Sequence, residues 1–140
     1  MSTVFKGKGY VKGIAKAPAL ITKERLAFSG FINAKKGIFD SEKTELFGKS
    51  FKGKILIFTS GKAASSGARA IDLAVRAGNA PTAMVNYEID PITVAGCAIN
   101  DIPLLKVDDT SIFDKVKNGD IVTVDTNRGE VSLENSINNK

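Results

Sequence analysis

The segment Ser60-Gly-Lys-Ala-Ala-Ser-Ser-Gly67 concentrates the reactive side chains of this chain. It holds adjacent hydroxyls at Ser65 and Ser66, a lysine at Lys62, and glycines at Gly61 and Gly67 that let backbone amides approach a ligand closely. A serine can act as a base without a histidine partner when amide N–H groups and a cation stabilise its alkoxide in a closed, dry site. Lys62 could supply that cation. A plainer task also fits, because Ser65 or Ser66 stands where the N-cap of a following helix belongs. The spacing excludes a P-loop, since Lys62 directly follows the first glycine, and it does not fit a dinucleotide fingerprint. It is not an esterase nucleophile elbow either, for no histidine is available to activate a serine.

The rest of the composition narrows the chemistry. The 140 residues contain no histidine and a single cysteine, Cys97. One thiol cannot by itself hold a structural zinc or an iron–sulfur cluster, and a phosphohistidine role is excluded. Cys97 lies in the apolar run Val94-Ala-Gly-Cys-Ala-Ile99 and reads as a buried, inert thiol. The absence of an internal disulfide framework fits a reducing, cytoplasmic location. No apolar run approaches the ~18 residues that span a bilayer. The net charge of +5 is spread over lysines that alternate with apolar residues, as on the solvated face of a strand. No basic–aromatic cluster of the kind that stacks bases is present, so neither nucleic acid nor membrane is expected as a partner.

Strands and helices must bring these residues together. Ile55 to Phe58 is an apolar run that predicts a buried strand within Lys54–Thr59, and the serine loop then opens a helix from Ala68 to Ala77. On that helix Ala68, Ile71, Ala74 and Val75 form an apolar stripe, Asp72 and Arg76 sit four apart, and Gly78 closes it. Ala83 to Val85 is a second strand; Asp90 caps a second helix that starts at Pro91 and runs to about Ile99; Pro103 to Val107 is a third strand. Strand–helix–strand–helix–strand predicts a small parallel sheet with crossover helices. Asn86, Glu88 and Asp90 then follow the second strand at the same edge as the serine loop and could line one crevice with it.

The flanks read as β-structure. Val4 to Lys16 alternates, with Tyr10, Lys12 and Ile14 facing one way and Val11, Gly13 and Ala15 the other. Asn33 to Lys54 is polar and turn-rich, and predicts a long surface excursion with at most short strands. Thr110 caps a short helix over Ser111–Lys117, and Ile121–Asp125 and Glu130–Leu133 form a hairpin around Thr126-Asn-Arg-Gly129. The polar tail 134–140 is expected to fray. The two ends should pair around the α/β centre in one domain spanning 1–140.

With these segments in place the chain resembles a known family. Gly7 to Leu20, Leu26-Ala-Phe-Ser-Gly30, Phe51 to Phe58, the serine loop, Ala77-Gly-Asn-Ala-Pro81, Asp90-Pro-Ile92 and Asn118 to Asp125 match, in order, the small subunit or swivel domain of aconitase X. The resemblance implies an α/β, swivelling β/β/α fold with a barrel or sandwich-like part. It also implies a hydro-lyase subunit that closes over a larger partner carrying iron or an iron–sulfur cluster, supplies a serine base, and forms a heterodimer acting on phosphomevalonate or a hydroxyproline. Such a water elimination needs a base near the substrate carbon and a Lewis acid on the leaving hydroxyl.

One departure matters. The family loop reads Ser/Arg-Gly-Arg/Lys-Gly-Ser, whereas Ala63 and Ala64 stand here at the second glycine and the first serine. Either Ser65 takes over as base after a shift of one residue, or the base is missing. The assignment adopted is Ser65 with its neighbour Ser66 as catalytic hydroxyls, and Gly61, Lys62, Gly67 and Asn86 as substrate-binding residues, with no metal ligand in this chain. The alternatives are a non-catalytic anion-binding or regulatory module and a degenerate paralogue without the base.

Overall fold

Alternation of side chains decides the architecture. In a computed structural model, which describes residues 2–62 and 66–134, the chain opens with β1 (Ser2–Val11) and β2 (Ile14–Ile21). It continues through β3 (Arg25–Leu26), α1 (Phe28–Phe31), β4 (Ile32–Asn33), β5 (Ile38–Phe39), β6 (Ile55–Phe58) and β7 (Ser60–Gly61). Then follow α2 (Gly67–Arg76), β8 (Ala83–Asn86), α3 (Pro91–Ile99), β9 (Leu104–Val107), α4 (Ile112–Lys115), β10 (Ile121–Asp125) and β11 (Glu130–Glu134). Seven strands close into a barrel in the order β1-β11-β10-β2-β6-β8-β9. The parallel sheet and the terminal β-segments are therefore one closed sheet rather than two packed parts.

Every second residue of these strands points inward. Phe5, Ala17, Ile57, Val85, Leu105 and Val124 belong to one buried cluster, to which all seven barrel strands contribute and on which Ile112 and Val116 also pack. The small side chains Ala15, Ala17 and Ala19 leave room for Phe5 and the branched residues opposite. The alternate residues Leu56, Phe58, Met84 and Leu104 face outward into a second cluster beneath α2 and α3. Strands β6 and β8 are thus buried on both faces and read as unbroken apolar runs, as parallel strands do.

The parallel β6/β8 and β8/β9 pairs and the joining of the two ends are those expected from the sequence, whereas the parallel β2/β6 pair and the antiparallel β1/β9 pair that close the barrel are not. β2/β6, β6/β8 and β8/β9 are parallel, while β1/β11 and β2/β10 join the two ends of the chain antiparallel. Tyr10 and Ile14 face solvent, and Val11 and Ala15 are buried. The β10–β11 hairpin forms as expected. Glu134 belongs to β11, paired with Ser2, rather than to a frayed tail, and residues 135–140 lie outside the described ones.

Two expectations need correction. Residues 33–54 run over the surface with one short strand pair, β4–β5, as expected, but they are anchored in the core: Phe39, Leu46 and Phe51 are each 2 % exposed or less. They join Phe28 and Phe31 against the outer face of the sheet. The polar residues between them masked this contribution, because single apolar anchors in a turn-rich segment have no period. The helix after β9 is shorter than predicted, Ile112–Lys115. Its leading turn is held by the Asp109 carboxylate, which accepts from Ser111 N–H at 2.9 Å, rather than by Thr110.

The buried segment is tested by substitution. Phe39→Ala and Leu46→Ala should each lower the free energy of unfolding in urea by about 2–5 kcal/mol. Phe47→Ala, at a half-exposed neighbour, should change it by less than about 0.5 kcal/mol. Equal, small effects at all three positions would remove the core anchoring.

Candidate active-site cleft

Parallel strands gather their C-terminal ends at one edge, and the loops leaving β2, β6 and β8 meet there. Thr59, directly after β6, ties them together. Its N–H donates to Glu24 O at 3.2 Å and its hydroxyl to Lys23 O at 2.6 Å, in the loop after β2. Its carbonyl accepts from Tyr87 N–H at 3.0 Å and Glu88 N–H at 2.8 Å, in the loop after β8. Beyond Thr59 the chain pairs with β3, placing Arg25 beside Ser60 and Leu26 beside Gly61, and Lys62 N–H donates to Leu26 O at 3.1 Å.

An open cleft of about 510 Å³ lies at this junction. Ser60, Gly61 and Lys62 form one side, Glu88 to Pro91 the other, and Arg25 stands at its mouth. Two cations and one exposed carboxylate meet there. The Arg25 guanidinium and Glu88 carboxylate pair at 2.6 Å, each about half exposed. Lys62 is exposed, and its ammonium lies 5.4 Å from the Phe31 ring centroid.

Asp90 is committed elsewhere, as expected of a cap. Its carboxylate is buried and accepts from Ile92 N–H at 3.2 Å, Thr93 N–H at 3.1 Å and the Thr93 hydroxyl at 2.8 Å. The N-terminus of α3 therefore already holds its own anion. This cap also explains Gly61. A Cβ there would lie 2.5 Å from Asp90 Oδ2 and closer still to Thr93 Oγ1. The helices approach equally closely, since a Cβ on Gly96 would meet Ile71 Cδ1 at 2.8 Å and one on Gly67 would meet Ile92 Cγ2 at 3.2 Å. Small residues thus bring the N-terminal ends of α2 and α3 side by side beneath the cleft.

The predicted residues are placed differently from one another. Gly61 and Lys62 line the cleft, with Gly67 buried at the start of α2. Asn86 does not line it. It is fully buried below, with its amide donating to Phe58 O at 3.3 Å and Val85 O at 3.2 Å. Ser66 stands at the N-cap position of α2, but its side chain makes no capping hydrogen bond. Ser65 lies outside the described residues, as do Ala63 and Ala64. Sequence reasoning missed Arg25 and Thr59. No local pattern marks either, because their positions follow from the β3–β7 pairing and the loop ties.

The donors present do not fit an iron centre. The sequence has no histidine, and among the described residues no three carboxylate or thiol side chains gather as a metal would require. Cys97 is buried, 3.6 Å from Met84 Sδ, and burial pushes its thiol up to about 12.

The model of the aconitase X swivel domain matches residues 4–133. The chain belongs to this family. The phosphomevalonate dehydratase small subunit of Methanosarcina acetivorans is 36% identical over 91% of this chain and 89% of its own. That of Methanothrix thermoacetophila is 40% identical over 86% and 88%, and that of Archaeoglobus fulgidus 36% identical over 92% and 97%. The crystal structure of Thermococcus kodakaraensis aconitase X in its holo-form superposes with a TM-score of 0.88 at 31% identity, over 95% of this chain and 99% of that one. The swivel-domain fold expected from the sequence is thus the observed one. The expected enzyme class, a hydro-lyase subunit working beside a larger one, is that of these relatives. No helix among the described residues is long and apolar enough to cross a membrane.

Two outcomes check the site's construction. Gly61→Ala should destabilise the chain by about 1–3 kcal/mol in urea, and Thr93→Ala in the same chain should recover part of that loss. Cys97 should stay unreactive toward a disulfide reagent until the chain unfolds. Its folded pKa is raised, so its contribution is complete below the ordinary value of 9.0 and lost as pH rises toward about 12. Wild type should therefore lose stability across that window relative to Cys97→Ala.

Proposed function

We propose that this chain is the small subunit of a phosphomevalonate dehydratase, a hydro-lyase that becomes active when a larger subunit covers the cleft. The observation that carries this reading is the near full-length likeness to proteins named phosphomevalonate dehydratase small subunit. The cleft supports it: Lys62 and Arg25 bring positive charge to the serine loop, where a phosphorylated hydroxy acid would need it. The same relatives favour phosphomevalonate over a hydroxyproline. Iron, or an iron–sulfur cluster, would belong to the larger subunit, since this chain's own donors do not fit one. The location is cytoplasmic, and neither nucleic acid nor membrane takes part.

In this reading the serine loop works at the substrate carbon. In its alkoxide form Ser65 takes the proton from the carbon adjacent to the one that loses its hydroxyl, the C–H electron pair becomes the new double bond as the C–O bond breaks, and the departing hydroxide recovers that proton from Ser65 to leave as water, restoring the alkoxide. Lys62 stabilises the alkoxide form of the base, and amides beside Gly61 and Gly67 add to the local positive potential. Ser66 supports the loop next to Ser65. Asn86, buried beneath, acts on the substrate through the backbone of β6 and β8 rather than by touching it.

Co-expression with the larger subunit tests the reading. A complex should elute as one species and form a carbon–carbon double bond from phosphomevalonate, followed by NMR. Ser65→Ala should lower kcat by about 10²–10⁴-fold, and Ser66→Ala by less. Full activity in both variants would remove the serine base; absence of any complex would remove the subunit assignment.

A further inference from the structure

We infer that Arg25 is the oxyanion clamp of this cleft and that Glu88 is its exchangeable counter-ion, standing where an oxyanion of the substrate binds. The inference rests on the dehydratase reading for the identity of the substrate, though not for the existence of the clamp. Arg25 is placed with care. It is in register with Ser60, its strand is pinned to the serine loop through Lys62 N–H and Leu26 O, and the adjacent Glu24 carbonyl is held by Thr59. A guanidinium so fixed presents a planar fork matched to a carboxylate or phosphate.

The structure already shows it holding one. Glu88 supplies a carboxylate oxygen 2.6 Å from Arg25 Nη2 across the mouth of the cleft. Both side chains are about half exposed, so the pair is solvated and weakly held, and a ligand can displace Glu88. The other cleft carboxylate, Asp90, is buried and satisfied by α3 and cannot exchange in this way. Lys62 provides a second cation on the same wall. A phosphate monoester or a carboxylate would satisfy this geometry, and phosphomevalonate carries both.

Two measurements decide it. The full chain, labelled with ¹⁵N, is titrated with inorganic phosphate and separately with acetate at constant ionic strength, reading the Arg25 Nε–Hε signal and the Gly61 and Lys62 amides. At least one anion should shift these signals saturably. Glu88→Gln should tighten that binding several-fold, and Arg25→Gln should abolish the amide shifts. The stronger anion identifies which end of the substrate is held. In the complex with the larger subunit, Glu88→Gln should lower KM several-fold, while Arg25→Gln should raise it by tenfold or more, with the loss falling on KM rather than kcat. Arg25→Lys, which keeps the charge and loses the fork, should fall between. A purely structural ion pair would move KM in the same direction for both variants and lower thermal stability in each. That pattern, or no shift with either anion in wild type and Glu88→Gln, overturns the clamp. Saturable anion binding in a complex that does not dehydrate phosphomevalonate would leave the clamp standing and sink the dehydratase reading.

Discussion

Thr59 joins what the chain separates. Its amide and hydroxyl hold the backbone of the loop after β2, and its carbonyl holds two successive amides of the loop after β8. Arg25 and Glu88, far apart in sequence, are set opposite each other as a result. Backbone groups at a sheet edge must find partners somewhere, and this residue lets neighbouring loops find them in one another. The cleft is therefore a by-product of satisfying hydrogen bonds at the end of a parallel strand. Among the described residues that line it, none has a positive φ.

That arrangement depends on layers below. β6 and β8 can bring their ends so close only because both faces of each are buried, one in the barrel and one under the helices. The barrel closes around alanines on β2 opposite branched residues elsewhere, and α2 and α3 touch through glycines. Burial of this kind strongly specifies register, since a slip of one residue would turn each inward side chain outward. The serine loop leaves from this rigid platform, so its anchoring points at Gly61 and Gly67 are fixed however the residues between them are arranged.

Elements with a period were legible in the sequence. The apolar runs of β6, β8 and β9, the stripe on α2, the Asp90–Pro91 start of α3 and the closing hairpin all follow from local pattern and cap chemistry. The Asp72–Arg76 pair forms as its spacing requires, at 2.8 Å. Features made by long-range pairing were not legible. Phe39, Leu46 and Phe51 are isolated among polar residues, and only the tertiary fold shows them as core. Arg25 reads as one more surface cation until β3 is seen beside β7. Asn86 was correctly placed at the sheet edge, but the alternation that turns Met84 toward the helices turns Asn86 the same way, away from the open cleft.

In the proposed reading the cleft also gives a physical reason for a second chain. Its charges lie in water, where a pair like Arg25–Glu88 contributes about 0–1 kcal/mol and a lone lysine stabilises an alkoxide poorly. The same groups become effective when a partner surface excludes solvent, because Coulomb interactions strengthen as the local dielectric falls. In the proposed reading the base is a hydroxyl, which is no base near neutrality unless its surroundings activate it. Exclusion of water is then a condition of the chemistry and not a refinement of it. In that reading a domain that presents cations on an open edge, with the serine loop leaving beside them, is suited to the role only as one wall of a site whose other wall closes over it.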